Sequence, residues 1–352
     1  MKKNGRISGA AAVKIKSRLY SFSTLFILIF VLMFFTAASG FTHYSFMNMQ
    51  NMSNIINQAS FLTLIGVSQM LVILALGDVN LSIGSIMVFA SIWVGPYLLE
   101  ANHYPIWISI VYMVAIGALI GIINGLMVIR LKMSTFMATF ASMYIFRGLS
   151  WIIMGKNVSY GISGPLRNLA QGKIFTVGTF TVTVPMLICA ALVACVSFML
   201  KGTTFGRKVY FVGSNPNAAG FSGIKVKQIV MIIHILGGAI AGFAGLMYAA
   251  RVNACEASMY TTSHFDAISV ALIGGVAMSG GYGNVWNCVL GALVISSITS
   301  GMNTIQIPSE LQTLVLGVLM ILSVYINQIL IEKQKNLSNR KVSEKQIGVA
   351  QG

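Results

Sequence analysis

The chain has 352 residues, of which 56% are hydrophobic and 9% charged, and its formal net charge is +16. A soluble domain could not hold that balance in water. With about 20 apolar residues needed per crossing, no length remains for a soluble catalytic domain. Composition therefore predicts an all-α polytopic membrane protein whose basic excess reports topology rather than nucleic-acid binding.

Ten apolar segments follow one another, at about 21–39, 55–76, 81–99, 106–129, 133–154, 181–200, 228–250, 266–279, 284–301 and 311–331. A basic segment, 1–20, precedes them. The first run ends in Ala37-Ala38-Ser39-Gly40, small residues of the kind a signal peptidase cuts. Its apolar core exceeds that of a signal peptide, which predicts a retained first span. With the N-terminus in the cytoplasm, 18 of the 23 Lys and Arg fall inside: six before Leu19, Arg130 and Lys132, five between Lys201 and Lys227, and five after Glu332. Arg147, Lys156, Arg167, Lys173 and Arg251 are left outside. Cytoplasmic N- and C-termini thus satisfy the positive-inside rule, with 332–352 as a cytoplasmic tail.

Gly117, Gly121 and Gly125 recur every four residues on the fourth span, as do Gly238 and Gly242 on the seventh. Such stripes let helices approach closely in lipid and read as packing surfaces. GALIGIINGLMVIRLKMST from Gly117 and GALVISSITSGMNTIQIPS from Gly291 look alike five spans apart, so they cross in opposite directions. The pattern is an inverted repeat of two five-helix halves, with substrate handled where the halves meet. Spans three and eight are irregular. Gly77-Asp78-Val79-Asn80 leaves almost no loop before span three. Span eight, DAISVALIGGVAMS, is about 21 Å long as helix against a hydrocarbon core of about 30 Å. It is expected to be broken, tilted or re-entrant, and broken helices present backbone groups to a substrate.

The acidic residues Asp78, Glu100, Glu256, Asp266, Glu310, Glu332 and Glu344 fall at span ends, in loops or in the tail. An ion-coupled carrier usually needs ionisable groups within the bilayer, so this weighs against that class. The nearest approach to a P-loop, Gly155-Lys156, lacks the first glycine (Ser150) and the final Ser/Thr (Asn157), so energy must come from a separate subunit. Arg147, near the outer end of span five, either snorkels to the interface or joins a permeation path. His234 has no His or Cys at ligand spacing and reads as a packed residue, so no metal site is expected. Cys189, Cys195, Cys255 and Cys288 give no disulfide framework. Trp93, Trp107 and Trp151 suit an outer aromatic belt and Trp286 an inner one.

Between Lys201 and Lys227 the apolar chain turns polar and basic: KGTTFGRKVYFVGSNPNAAGFSGIKVK. A short helix is expected near 215–223, with Asn215 or Ser214 as cap, Pro216 at its first position and Gly220 or Gly223 as its stop. This loop resembles the main cytoplasmic loop of permease subunits of bacterial ribose-type ATP-binding-cassette importers, within the branched-chain amino acid/ribose permease family. Gly206-Arg207, Tyr210, Gly213, Asn215, Ala218, Ser222-Gly223-Ile224 and Val226 carry the match. GDVNLSIGS at 77–85 and FDAISVALIGGVAMSGGYG at 265–283 are similar to two further family motifs. In the first, the family Asp is replaced by Asn80, with an acid at Asp78.

The resemblance implies a permease domain over 21–331, with 201–227 as its coupling loop and no catalytic residues. Gly206, Arg207, Gly213, Asn215, Ala218, Ser222 and Gly223 would meet the ATPase, while Asn80, Ser82, Asp266, Gly274 and Gly275 would border the translocation path. It further implies two ATPase subunits, or one fused duplicated ATPase, that bind ATP and Mg, so that this chain carries no cofactor. A second permease copy, identical or homologous, and an external solute-binding protein would complete the importer in the bacterial inner membrane. The cargo would be a monosaccharide, ribose-like pentose or hexose. A nucleoside or furanosyl signalling molecule is the alternative within the family, and an ion-coupled carrier the alternative outside it. A membrane enzyme would need clustered acids or histidines at one face, which the sequence lacks.

Overall fold

A computed structural model describes residues 9–40, 45–93, 105–162, 164–322 and 325. The basic residues before Gly9, His43, the 94–104 connection with Glu100 and His103, and the predicted 332–352 tail lie outside the described residues. Helices occupy all ten predicted segments: α1 (Gly9–Ser39), α2 (Met49–Leu76), α3 (Ile83–Ile92), α4 (Ile106–Arg130), α5 (Thr135–Met154), α7 (Val184–Gly202), α10 (Val226–Val252), α11 (Ser263–Ile273), α12 (Val285–Thr304) and α13 (Ser309–Leu322). Six of them, α2, α4, α5, α7, α10 and α12, are long and apolar enough to cross a membrane by length and composition. The remaining three helices are α6 (Gly164–Gln171), α8 (Thr204–Ser214) and α9 (Pro216–Phe221).

Four short strands interrupt the predicted all-α pattern. β1 (Ser159–Tyr160) pairs with β4 (Ala254–Cys255), and β2 (Lys173–Val177) forms an antiparallel hairpin with β3 (Phe180–Thr183). The apolar pattern starts the sixth span at 181, but the Phe-Thr-Val-Thr run is aromatic and β-branched and suits a strand. The helix waits for Pro185, whose fixed φ suits a first turn. Span eight ends at Ile273 rather than 279. There the Val276 N–H reaches the Ala271 carbonyl (3.1 Å), the Gly275 N–H reaches Leu272 (2.8 Å), and Gly275 takes φ +78°. That is a Schellman stop, which requires a left-handed residue, so the half-helix is followed by turns in which Gly280 and Gly281 also take positive φ.

α2 is the central helix. Its side chains from Phe61 to Ala75 are buried, polar Thr63, Ser68 and Gln69 among them, and α7, α8, α10, α11 and α12 surround it. The glycine stripes pack on each other: a Cβ added to Gly117 would strike the Gly238 carbonyl, and one on Gly242 the Met113 carbonyl. α4 and α10 thus meet backbone to backbone, which only small residues permit. Large apolar side chains such as Phe26, Phe30 and Phe34 on α1, and Phe140, Tyr144 and Ile152 on α5, stay exposed, as lipid-facing surfaces require.

The two look-alike stretches adopt the same local structure. Each runs out of a helix, through a four-residue connection (131–134 and 305–308), into the next helix. Each has a non-glycine residue of positive φ at the same place, Lys132 (54°) and Gln306 (58°), fifteen positions after Gly117 and Gly291. Their surroundings differ. The Phe136 N–H bonds Asp78 at the C-terminal end of α2, whereas Ser300 bonds Asn51 at its N-terminal end.

Candidate functional site

At one end of the molecule the polar loop folds into two helices in tandem rather than one. Thr203 caps α8, its hydroxyl accepting the Gly206 N–H (3.2 Å). Gly206 lets α8 turn tightly off α7, since a Cβ there would collide with Leu200 backbone. Asn215 then caps α9 as expected, accepting the Ala218 N–H at 3.0 Å, with Pro216 in the first turn. The Ser222 hydroxyl donates to the Ala218 carbonyl (3.0 Å), and Gly223 closes the helix at φ +78°. Arg207 and Asn215 are exposed, and Phe221 at the tip of α9 is 94% exposed.

The inner face of α8 buries Val209 and Val212 and ends in Gly213. A Cβ on Gly213 would overlap the Leu74 carbonyl at the end of α2 and stand 2.5 Å from the Gly281 nitrogen. The Gly281 N–H donates to that same Leu74 carbonyl (2.8 Å), and a Cβ on Gly280 would lie 2.7 Å from the Gly213 carbonyl. Three backbones therefore meet with no side chain between them: the ends of α2 and α8, and the 277–283 turn after half-helix α11. The Tyr210 hydroxyl adds a bond to the Gly283 carbonyl (2.9 Å), and burial pushes its pKa up to about 12, so it stays a neutral donor.

Beside this junction lies a buried polar cluster at the start of α3. The Asn80 Oδ1 accepts both the Ser82 N–H (2.9 Å) and the Ser82 hydroxyl (2.7 Å). Asn124 of α4 donates to the Ser82 Oγ (2.9 Å), Gln69 accepts the Asn80 N–H (3.3 Å), and Thr139 accepts the Leu81 N–H (3.1 Å). Two polar atoms, Gln69 Nε2 and Asn124 Oδ1, are buried without a protein partner among the described residues. What Asn80 does for Ser82 requires only an oxygen, which Asp would also supply. Asp78 acts separately. Its carboxylate accepts the Phe136 N–H (2.9 Å) at the start of α5, where a negative charge favours the helix N-terminus. Neither Gln69, Asn124 nor Thr139 carries a local signal in the sequence, because each reaches the cluster from a different helix.

The remaining predicted path residues stand elsewhere. Asp266 lies in the first turn of α11, toward the end of the molecule opposite α8, near Tyr248 and Arg251 in the last turns of α10. Gly275 supplies the helix stop, and Gly274 abuts Asn287, where a Cβ would come within 2.6 Å of its carbonyl. Arg147 does not snorkel, and among the described residues it pairs with no acid. Its guanidinium donates to the carbonyls of Ala257 (3.1 Å), Met259 and Tyr260 (3.2 Å), pinning that segment over α3, where Gly84 leaves room for the Tyr260 carbonyl.

Two hollows open at that opposite end, on either side of the N-terminal turns of α2. One, of about 550 Å³, includes Lys173 and Arg251, the latter 4.7 Å above the Phe61 ring. The other, of about 500 Å³, has no charged residue among the described residues that line it. The sequence signal for both is the run of carboxamides Asn48, Gln50, Asn51, Asn54, Asn57 and Gln58, which in isolation looks like no more than a polar outer loop.

Long apolar helices, with the short apolar helices α3 and α11 among them, and a polar helical pair at one end define a multi-pass membrane protein built like a transport subunit. Comparison with known proteins agrees. Residues 51–324 match the family model for the permease component of branched-chain amino acid transport systems, and the chain belongs to this family. It is 30% identical over 309 residues to the D-allose transport system permease protein AlsC of Escherichia coli (strain K12), covering 88% of this chain and 92% of that one. It is 29% identical to the xylose transport system permease protein XylH of Haemophilus influenzae (84% and 93% covered). It is also 29% identical to the ribose import permease protein RbsC of Bacillus subtilis (81% and 86% covered). No solved structure matches the chain significantly.

Proposed function

We propose that the chain is the membrane-spanning subunit of an ATP-driven importer and forms the path for a monosaccharide delivered by an external binding protein. Relatives named for allose, xylose and ribose support the cargo class. The observation that carries the mechanism is the seat of Gly213 on Leu74 and Gly281, because it joins the polar loop to the half-helix α11 and to the break before α3. In this reading α8 and α9 face the cytoplasm and α9 enters a groove of the ATPase, with Asn215, Ala218, Ser222 and Gly223 shaping it. Closure of the ATPase pair draws the loops of two permease copies together. The junction passes that displacement to α2, α3 and α11, rocking one half of each copy against the other. Asn80 and Ser82 border the inner part of the path, Asp266 its outer mouth, and Gly274 and Gly275 the break between. ATP and Mg belong to the ATPase subunits, whether two chains or one fused pair, in the bacterial inner membrane.

Reconstitution of the chain with its ATPase and binding protein in proteoliposomes tests this directly. ATP hydrolysis and uptake should rise with one member of a sugar panel. If no ATPase copurifies and uptake instead follows a proton gradient, the proposal fails.

A further inference from the structure

The uncharged hollow at the end opposite α8 has a lining that the transport reading does not use. Six of its residues are Gln50, Asn54, Gln58, Asn303, Thr304 and Gln306, and the other four are also carboxamide or hydroxyl residues. Among the described residues this wall has neither charge nor apolar side chain, which is unusual in a chain that is 56% hydrophobic. Some of these groups are committed to the fold: Asn48 caps α2 through the Gln50 N–H, and Asn51 bonds both Phe46 and Ser300. Others are not. Among the described residues no protein group bonds the carboxamides of Gln50, Asn54 or Gln58, and Asn54 is shared with the neighbouring hollow.

From this lining we infer that the hollow is a receiving site for a neutral polyhydroxylated molecule, a monosaccharide, held before it enters the path. Each carboxamide offers a donor and an acceptor side by side, which matches the vicinal hydroxyls of a sugar. A phosphate or an amino acid zwitterion would require charged partners, and none of the described residues lining this hollow is charged, whereas Lys173 and Arg251 line its neighbour. Its size, about 500 Å³, lies within the range of small-molecule sites, about 300–1,000 Å³. Because the hollow is open and water competes for every bond, the affinity is weak, with a dissociation constant on the order of 1 mM. The inference rests on the importer reading for the choice of ligand.

The test is direct binding of D-ribose, D-allose and D-xylose, with L-leucine as comparison, to the permease–ATPase complex in nanodiscs without binding protein. Saturation-transfer NMR or equilibrium dialysis would read it. One sugar should bind at millimolar level and leucine should not. The double substitution Asn54→Leu with Gln58→Met should weaken sugar binding about tenfold or more. Copurification of the ATPase checks assembly, and Asn54→Ser is read the same way if the double variant does not assemble. Undiminished sugar binding in an assembled variant overturns the site, as does leucine binding better than any sugar. Loss of binding-protein docking with sugar binding intact also overturns it, marking the hollow as a docking surface. If no sugar drives uptake by the complete wild-type system yet one still binds here, the importer reading fails and the site stands.

Discussion

The two ends of the molecule are assembled on opposite principles. At the α8 end, glycines bring three backbones into contact and one carbonyl, Leu74, is shared between a helix end and a turn. At the other end, carboxamides and hydroxyls line open hollows between the helices, α6 and the hairpin, whose Thr181 and Thr183 bond Ser53 and Asn57 of α2. The first arrangement has no slack, so a displacement of α8 must move its neighbours. The second leaves room for something to arrive. In the proposed importer, mechanical work would enter at the first face and the solute at the second, which is the use such an asymmetry would have.

If the asymmetry is real, a single methyl should be far costlier at one end than at the other. Gly213→Ala places a Cβ against the Leu74 carbonyl and is expected to cost about 3 kcal/mol as overpacking. Melting of the purified protein and ATP-driven uptake should both fall. Arg147→Met comes next, at about 2–3 kcal/mol, because carbonyls of the 257–260 segment lose a charged donor. A melting curve measures it, and no change would mean the clamp is dispensable. Gly178→Ala, in the hairpin turn with open space around it, costs only the left-handed strain, about 1–2 kcal/mol. Losses equal to those of Gly213→Ala would break the contrast between the ends. Asn215→Ala removes the α9 cap for about 1 kcal/mol. Hydrogen exchange should rise in 216–222 and uptake should drop while global melting holds. Smallest is Asn80→Asp, which keeps the oxygen for Ser82 at a helix N-terminus and should shift stability by less than about 1 kcal/mol. A large loss in that variant would show that the buried cluster requires neutrality at this position.

The features legible in the sequence are those whose causes are local. The apolar segments, the Asn215-Pro216 start of α9 and the shortness of span eight all depend on residues within one or two turns, whereas its stop at Ile273, six residues before the expected end, does not show in the apolar pattern. The glycine stripes are visible, and α4 and α10 do pack through them, but the pairing itself requires the fold. α8 escapes a sequence reading because its basic surface hides a buried face of Val209, Val212 and Gly213 whose partners lie about 70 to 140 positions away. Asn80 stands out by motif, while its neighbours Gln69, Asn124 and Thr139 come from three other helices. The carboxamide run at 48–58 is plain in the sequence. Only the hollow beside it, completed by residues 300–306, gives it meaning.

Arg147 carries a consequence for how the chain is made. Synthesis proceeds from the N-terminus, so α5 emerges more than a hundred residues before the Ala257–Tyr260 carbonyls that will receive its guanidinium. Until then the charge sits near the edge of the bilayer with water as its only partner, because a guanidinium is costly in lipid. On this ground the first half of the protein made alone is expected to leave Arg147 open to a water-soluble arginine reagent that the complete chain excludes. Arrival of the later segment pulls α5 into place, so that a single arginine ties the completion of one half to the synthesis of the other.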